Sequence, residues 1–430
     1  MIFQVLLPFS ILFPLLFIGI PVGFSLGIAG VTSLLIGFGP DVALGFLATV
    51  PYRESGTFAL AAIPLFLLMG QFALHAGISK PLIDFAYSWL GRLPGGLALA
   101  AILASAMFAA ATGSSTASVA ALTPIITRES ERFGYNRGLM LGTLAASGTF
   151  AVMIPPSIVF IVYGVITDVS IGKLFIAGIL PGVISAVIYM ISVVIRVRMR
   201  PSLAPPAPPI EWRKRLASIK GAGLIGLLLL MVLGSLFSGV ATPSEAGAIG
   251  AVGTLLLGVL RRRPMNWGAF SLAVIESVKT TAMLFMIIIM AYFFANYLSL
   301  SQIPQKLVAF IAERQLSPWV VLTGVLVLYS ILGMFLTATS ILVATLPIVF
   351  PLITAVGFDP IWFGVIVVKC MEIGLVTPPV GLNLFIIQGM AKEPLERVIS
   401  YVLPFLVCDV ATLILLILVP EITLFLPSLM

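Results

Sequence analysis

The stretch Ala109–Pro124, AAATGSSTASVAALTP, has an apolar, helix-like composition with a run of hydroxyl side chains in its middle. Gly113 and the three hydroxyl residues after it favour local hydrogen bonds and turns over a continuous helix. In a lipid bilayer, unwound backbone survives only where protein or a water-filled cavity surrounds it. Such a break is typical of an oxygen-lined site for a small cation or polar solute, with a kinked packing helix as the alternative.

A second break follows at 147–157, SGTFAVMIPPS, because two consecutive prolines cannot both lie inside a regular helix. Adding 223 to each number maps the first break onto 332–347, LGMFLTATSILVATLP, and the second onto 370–380, CMEIGLVTPPV. Four pairs of prolines coincide at this offset, where chance predicts fewer than one: Pro81 with Pro304, Pro124 with Pro347, Pro155 with Pro378, and Pro156 with Pro379. We infer an internal duplication that carries a pair of broken helices in each half.

The composition indicates a polytopic membrane protein. The 430 residues are 60% hydrophobic and 9% charged. The net charge of +7 reflects basic residues in short loops, as positive-inside topology requires, so no nucleic-acid partner is expected. His75 is the single histidine, and the two cysteines match no metal spacing, which argues against a protein-held metal centre or other cofactor.

An enzyme embedded in the membrane, such as an intramembrane protease, is the rival class. Such enzymes use an aspartate pair, a Ser–His dyad or a histidine-bound zinc ion. The chain has one histidine, and Asp41, Asp168 and Asp359 lie near the ends of predicted spans. We therefore expect no enzymatic activity.

Hydropathy predicts an all-α membrane protein in which each half has five crossings and one re-entrant hairpin. The first half has crossings at 2–18, 21–38, 60–76, 138–166 and 174–195, a loop or interfacial segment at 39–58, an amphipathic arm at 78–93 and a hairpin at 95–127. The second half has crossings at 221–240, 244–260, 279–298, 360–390 and 398–426, an interfacial piece at 265–276, an arm at 301–316 and a hairpin at 318–350. An odd number of crossings inverts the second half relative to the first. The unequal basic content of equivalent loops, such as Arg261–Arg263 against 37–40, agrees with inversion.

A basic, proline-rich segment at 196–220, which contains SLAPPAPPI, separates the two halves. We predict two inverted repeats, 1–195 and 221–430, joined by this segment as a semi-rigid cytoplasmic linker. Binding of the same basic segment to anionic lipid is compatible with this prediction.

Over essentially its whole length the chain resembles the large membrane subunit of TRAP (tripartite ATP-independent periplasmic) transporters, the DctM-type permeases. The matching stretches are IPLFLLMGQF (63–72), ATGSSTASVAALTPI (111–125), IPPSIVFIVYG (154–164), TPSEAGAIGA (242–251) and EIGLVTPPVGLNLF (372–385). The resemblance implies an elevator-type secondary transporter of the bacterial inner membrane, with a small four-helix membrane subunit and a periplasmic solute-binding protein as partners. It also implies a small organic acid as substrate and Na⁺ as coupling ion. The alternative is a stand-alone ion-coupled anion or dicarboxylate transporter of a related two-hairpin fold, without accessory subunits.

Each break is a candidate Na⁺ site, because hard cations prefer oxygen ligands such as hydroxyls and freed backbone carbonyls. The first set is Ser114, Ser115, Thr116, Gly148, Thr149 and Pro155. The second set is Thr337, Thr339, Ser340, Gly374, Thr377 and Pro378. Many members of the resembled family carry an acidic residue at the position of Thr337, so the second site is neutral here. Intramembrane hydroxyls also bond their own helix backbone, which is the alternative for each residue.

Three residues are candidates for substrate contact: Ser115, Asn383 and Lys369. Asn383 either faces the substrate or packs between helices. Lys369 lies three residues before Glu372 on one predicted span, so the two either pair with each other or contact a carboxylate substrate. Glu245 is predicted to be a helix-start residue.

We also predict motion in two groups. The two hairpins and the broken spans move together, while the remaining spans and the two amphipathic arms form a static frame.

Overall fold

The computed structural model describes residues 2–205, 210–260 and 265–430, and this part of the chain is helical without any β-strand. Its α-helices are α1 (Ile2–Phe17), α2 (Val22–Phe38), α3 (Pro40–Ser55), α4 (Ala62–His75), α5 (Ser79–Leu90), α6 (Gly96–Thr112), α7 (Ser115–Phe133), α8 (Arg137–Ser147), α9 (Phe150–Met153), α10 (Ile158–Thr167), α11 (Ile171–Met199), α12 (Trp212–Phe237), α13 (Pro243–Leu260), α14 (Trp267–Leu300), α15 (Ile303–Glu313), α16 (Pro318–Gly333), α17 (Ala338–Ala355), α18 (Pro360–Val376), α19 (Leu382–Ala391), α20 (Leu395–Leu418) and α21 (Glu421–Leu424).

The helices of the two halves follow each other in the same order at the offset of 223 residues found in the sequence. The hairpin α6–α7 corresponds to α16–α17, and the broken helix α8–α10 corresponds to α18–α19. The pairs α1 and α12, α2 and α13, α5 and α15, and α11 and α20 also correspond. The order and spacing of the helices therefore agree with a duplication. The opposite membrane orientation of the halves stays a prediction.

Seven helical segments of the described residues are long and apolar enough to cross a membrane, judged by length and composition. They are Phe58–His75, Arg137–Thr167, Ile171–Met199, Trp212–Phe237, Trp267–Leu300, Ala338–Ala355 and Leu395–Leu418. Shorter apolar helices, among them α2, α6 and α16, pack beside them. The expected all-α membrane architecture is confirmed.

Three predicted boundaries differ from the structure. The interfacial piece 265–276 and the span 279–298 form one 34-residue helix, α14, because neither glycine nor proline lies between Gly268 and Leu300 to interrupt it. The segment 39–58 is helical from Pro40, where a proline in the first turn follows Gly39. The predicted linker 196–220 includes the last turn of α11 and the start of α12. Residues 206–209 of this linker lie outside the described residues. The same is true of Arg261–Arg263 in the second half.

We call one group of helices, whose arms α5 and α15 also pack against the hairpin helices α6 and α17, the frame: it comprises α1–α5 and α12–α15. In it α2 packs along α14, and α4 packs along α13. A Cβ atom on Gly30 of α2 would lie 2.4 Å from the backbone nitrogen of Phe294 on α14. Only glycine permits this backbone approach, which is typical of membrane helix interfaces.

The remaining helices, α6–α11 and α16–α21, form a second group, which we call the body. Here α11 and α20 pack on each other and on α18, and α20 also packs along α8. The predicted grouping assigned the spans 174–195 and 398–426 to the static frame. Both pack against the broken helices, so we describe them with the body. Which helices move together stays a prediction.

Candidate functional site

The first break is the tip of the hairpin α6–α7. Gly113 ends α6 in the left-handed conformation, with φ of 59°, which glycine adopts without strain. A Cβ atom there would lie 2.8 Å from the carbonyl oxygen of Pro156, so the tip touches the Pro–Pro break of the neighbouring broken helix. Ser114 caps α7, since its Oγ accepts a 3.4 Å hydrogen bond from the backbone N–H of Ala117.

Ser115, the first residue of α7, reaches across to the second half of the chain. Its Oγ lies 3.0 Å from Oδ1 and 2.9 Å from Nδ2 of Asn383 on α19. The same Nδ2 donates to the carbonyl oxygen of Ala145 on α8, 3.1 Å away. Asn383 is fully buried. Two predicted substrate-contact residues are therefore in direct contact, and Asn383 lies between helices.

The second break, the tip of the hairpin α16–α17, resembles the first. Thr337 caps α17 by accepting a 3.4 Å hydrogen bond from the N–H of Ser340. Its Oγ1 also lies 2.8 Å from Oγ of Ser340 and 3.4 Å from Oγ1 of Thr339. The N–H of Gly381 donates to the carbonyl of Met334, 3.3 Å away, so this tip also contacts a broken helix.

Gly374 brings α18 into backbone contact with α16. A Cβ atom on Gly374 would lie 2.5 Å from the Cα of Gly333. Similarly, a Cβ atom on Gly148 would overlap the side chain of Val119 on α7. Both predicted glycines therefore allow a hairpin to lie directly on a broken helix.

Two of the predicted hydroxyl ligands bond their own helices. Thr149 Oγ1 donates to the carbonyl oxygen of Ala146 at 2.7 Å, and Thr377 Oγ1 donates to that of Ile373 at 2.6 Å. This is the alternative that the sequence left open for each of them. Pro155 and Pro378 occupy equivalent places, each before a second proline at a helix break.

A cavity of about 710 Å³ lies where the two hairpin tips face α2 and α14 of the frame. It brings together six predicted ligands: Ser114, Ser115, Thr116, Thr337, Thr339 and Ser340. The other six predicted ligands, Gly148, Thr149, Pro155, Gly374, Thr377 and Pro378, are not among its lining residues. Pro21–Phe24 and Met283 with Leu284 contribute part of its apolar wall.

Five helices begin at this cavity. The first residues of α2, α7, α10, α17 and α19 all line it: Val22, Ser115, Ile158, Ala338 and Leu382. Helix N-termini carry partial positive charge and free N–H groups. Among the described residues that line the cavity, none is acidic or basic. The backbone and the hydroxyl groups therefore dominate the polarity of this cavity, which suits an anionic solute.

Lys369 lies elsewhere, in a buried charge cluster inside the body. Its Nζ donates to Glu372 Oε2 at 2.8 Å, Asp409 Oδ1 at 2.6 Å and Ser185 Oγ at 3.2 Å. Tyr189 donates to the other oxygen of Asp409 at 2.6 Å. All five side chains are fully buried. Of the two roles open for Lys369, the ion pair with Glu372 is the one found.

Sequence reasoning missed Asp409, because it considered only aspartates near span ends. The available signal was a lone carboxylate in the apolar run LVCDVATLILL of the last predicted span. Glu245 is at a helix start, as predicted: its carboxylate accepts from the N–H and the hydroxyl of Thr242 before α13.

Helices of membrane-spanning length, two hairpins with a break at each tip, and a cavity shared by the two tips define a polytopic membrane transporter. Two solved transporters share this fold. Neisseria gonorrhoeae MtrF, described as illuminating a class of antimetabolite efflux pumps, has a TM-score of 0.54 at 15% identity, covering 90% of this chain and 85% of that one. The Alcanivorax borkumensis YdaH transporter has a TM-score of 0.51 at 17% identity, covering 92% and 89%.

The chain belongs to the DctM family, the "Tripartite ATP-independent periplasmic transporter, DctM component", whose model matches residues 9–422. It is 41% identical over 405 residues to the C4-dicarboxylate TRAP transporter large permease protein DctM of Pseudomonas aeruginosa, covering 94% of each chain. It is 31% identical to the sialic acid TRAP transporter large permease protein SiaM of Vibrio cholerae, covering 96% of each. The chain is thus a multi-pass protein of the bacterial inner membrane, related to transporter permeases.

Proposed function

We propose that this chain is the large permease subunit of a secondary TRAP transporter that imports a small organic acid together with Na⁺. A periplasmic solute-binding protein delivers the acid, and a small four-helix membrane subunit binds the frame. The observation that carries this proposal is the cavity shared by both hairpin tips. It combines hydroxyl groups with the N-termini of five helices.

A carboxylate in this cavity has hydroxyl and backbone N–H donors near it, and the helix dipoles favour its charge. Na⁺ has the opposite requirement. Na⁺ prefers oxygen ligands such as hydroxyl groups and free backbone carbonyls. Free carbonyls occur at the C-terminal ends of α6, α9, α16 and α18, and these helix ends lie next to the same breaks. A cation bound there also reduces the cost of bringing the anion into the membrane. Uptake of the acid would therefore depend on Na⁺.

We assign Na⁺ binding to the two predicted sets of break residues, and substrate binding to Ser115, which lines the cavity. Asn383 is buried between helices outside the cavity lining, so we assign it to positioning Ser115 through their hydrogen bonds. Lys369 is neutralised by two carboxylates inside the body and does not line the cavity. We therefore assign it to holding the body together rather than to the substrate.

The relatives support an organic acid as the substrate class. Their names specify C4-dicarboxylate at 41% identity, isethionate at 32% and sialic acid at 31%. A cavity of about 710 Å³ is in the usual range for small-molecule sites. A C4-dicarboxylate is the first probe to test, because the most similar of these three relatives bears that name.

Uptake of labelled succinate into vesicles containing the purified chain tests the proposal. We expect uptake only with the small subunit and the binding protein present and with an inward Na⁺ gradient. If the Na⁺ ions exceed the negative charge of the acid, as with three Na⁺ per succinate dianion or two per monoanion, an inside-negative potential adds about 2.3 kcal/mol per net charge per 100 mV. Isethionate and sialic acid serve as further substrate probes.

Two outcomes would count against the proposal. Uptake without either partner would favour the stand-alone transporter, and uptake driven by a proton gradient in the absence of Na⁺ would exclude Na⁺ coupling.

A further inference from the structure

A second cavity, of about 760 Å³, lies between the arm α5 and the hairpin helix α7, and it shares no lining residue with the cavity at the hairpin tips. We call it the basic groove. Its described lining consists of Lys80 from α5 and of Pro124, Ile125, Arg128, Glu129 and Arg132 from α7. Three basic groups and one acidic group give this lining a net charge of +2. The three basic residues are exposed, so the groove is open to the surface.

The protein itself neutralises little of this positive charge. Within the described part of the chain, the side chains of Lys80 and Arg128 have neither an ion pair nor a hydrogen bond. Glu129 pairs with Arg132 at 3.6 Å, but the arginine side chain is 73% exposed, and exposed pairs of this kind are weak. Asp84, one turn after Lys80 on the arm, does not line the groove. The basic groove therefore presents positive charge to a molecule that enters it.

The second half of the chain provides an internal comparison. Its equivalent helices, α15 and α17, enclose a cavity of about 210 Å³ whose described lining carries no charge. At the offset of 223 residues, apolar residues replace all three cations: Ile303 for Lys80, Pro351 for Arg128 and Ala355 for Arg132. An arm can therefore pack against a hairpin helix without charged residues at these positions. The cations of the basic groove are available to bind a ligand.

The basic groove lies at a boundary between apolar and charged surface. Helix α7 has no charged residue between Val119 and Ile126, and its charges begin at Arg128. Trp89 on the arm is 39% exposed, and tryptophan is enriched at the membrane–water interface. The basic segment 196–220 lies on the same face, because Arg92 Nη2, just after the arm, donates to the carbonyl oxygen of Ile210 at 2.9 Å. The groove is therefore at the level of lipid headgroups on the predicted cytoplasmic side.

We propose that the basic groove binds the phosphodiester group of an anionic membrane lipid. Guanidinium groups such as those of Arg128 and Arg132 bind phosphate oxygens through paired hydrogen bonds, and the Lys80 ammonium group adds a point charge from the opposite wall. Pro124 and Ile125 supply apolar surface for the start of the acyl chains. The bound lipid connects the arm α5 of the frame with the hairpin helix α7 of the body.

Native mass spectrometry of the purified full chain tests this site, with phosphatidylglycerol and the zwitterionic phosphatidylcholine as probes. We expect the wild type to bind phosphatidylglycerol with the lower Kd. Lys80→Gln and Arg128→Gln should each raise that Kd about fivefold, because each removes one cation beside the phosphate. The control is Arg213→Gln, an exposed cation at the start of α12 that does not line the groove. Equal binding of both lipids, or an equal loss of affinity in the control, would overturn the proposal.

Soluble phosphates distinguish a lipid from a free anion. Inorganic phosphate and glycerophosphoglycerol, which lack acyl chains, should displace phosphatidylglycerol only at far higher concentrations. Displacement by either one at concentrations equal to that of the lipid would make a soluble phosphate compound the ligand and would exclude the lipid.

Thermal unfolding separates loss of the site from loss of the fold. Without lipid, Lys80→Gln and Arg128→Gln should unfold at the wild-type temperature, because neither side chain bonds another described residue. Phosphatidylglycerol should raise the Tm of the wild type more than that of either variant. Arg128→Lys, which keeps the charge but loses the paired bonds, should have an intermediate affinity. An equal rise of Tm in the wild type and in both glutamine variants would contradict the proposal.

Discussion

Ser115 and Asn383 stand 268 positions apart in the sequence, yet their side chains hydrogen-bond each other at 2.9 and 3.0 Å. Ser115 begins the helix after the first hairpin tip, and Asn383 lies just after the break between α18 and α19. The pair therefore connects the first hairpin tip, which lines the cavity, to a buried residue of the second half that does not line it.

Replacement of Asn383 tests this connection. Asn383→Ala removes the donor to Ser115 and to Ala145, and leaves two buried acceptors unpaired, which costs about 1–3 kcal/mol. We expect succinate uptake to fall about tenfold or more. The control is Asn296→Ala on α14, where the lost bond goes to the carbonyl of Tyr292 on the same helix. Equal effects of the two substitutions would show that Asn383 has no special role.

Ser115 should also affect the dependence on Na⁺. Ser115→Ala removes one hydroxyl oxygen from the first hairpin tip, and one such contact is worth about 1 kcal/mol. The Na⁺ concentration for half-maximal uptake should rise about fivefold. Ser88→Ala is the control, because that exposed hydroxyl on α5 bonds only the carbonyl of Asp84. An unchanged Na⁺ dependence in Ser115→Ala would remove Ser115 from the set of ligands.

No side chain should fit at the position of Gly374. Gly374→Ala places a methyl group 2.5 Å from the Cα of Gly333, so α16 must move away from α18. Overpacking of this kind costs about 1–3 kcal/mol. We expect lower thermal stability in detergent and reduced uptake. Gly389→Ala on α19, where a Cβ atom meets nothing within 4 Å, should match the wild type. Normal stability of Gly374→Ala would show that this contact is not tight.

The sequence predicted those features of the fold that depend on local signals. The matched prolines at 155 and 378 indicated the two helix breaks at these positions, and hydroxyl groups next to Gly113 indicated the position of the first hairpin tip. The amphipathic arms and the helix start at Glu245 also follow from short-range patterns. Each of these signals lies within a few residues of the feature that it specifies.

The features that the sequence did not predict depend on how distant helices pack. The contact of Lys369 with Asp409 joins residues 40 positions apart, and Asp409 by itself resembles an isolated polar residue. The membership of α11 and α20 in the body also became visible only through their packing on α18. The continuity of α14 was missed because its polar residues near Lys279 resemble a boundary, although neither glycine nor proline interrupts the helix there.

Thr337 offers a way to strengthen the second site. Aspartate caps helices as well as threonine does, so Thr337→Asp should keep the start of α17 and add a negative ligand beside Thr339 and Ser340. An exposed ion pair contributes up to about 1 kcal/mol, so half-maximal uptake should need about fivefold less Na⁺. Ser170→Asp, at the capping residue of α11, adds the same charge away from the cavity. An equal shift in both variants would indicate a general charge effect.

The last prediction concerns movement of the body against the frame. Met283 on α14 and Phe335 at the second hairpin tip line the same cavity, and both are exposed. In a chain without Cys370 and Cys408, we expect a short bifunctional thiol reagent that joins cysteines at these two positions to stop uptake. The reason is that the site stays between the repeats while the protein moves around it, so a fixed distance between tip and frame prevents the change of access. Reduction of a cleavable reagent should restore uptake.

A pair inside the frame distinguishes lost motion from a blocked cavity. Phe24 on α2 and Met286 on α14 line the same cavity and are also exposed. Both belong to the frame, because α2 packs closely along α14. Cysteines at these positions, joined by the same reagent, place the same bulk in the cavity without connecting the tip to the frame. Uptake should then continue at the rate of the single-cysteine variants treated with the reagent. If both cross-linked pairs transport normally, the body does not move against the frame, and if both stop, occupation of the cavity explains the loss.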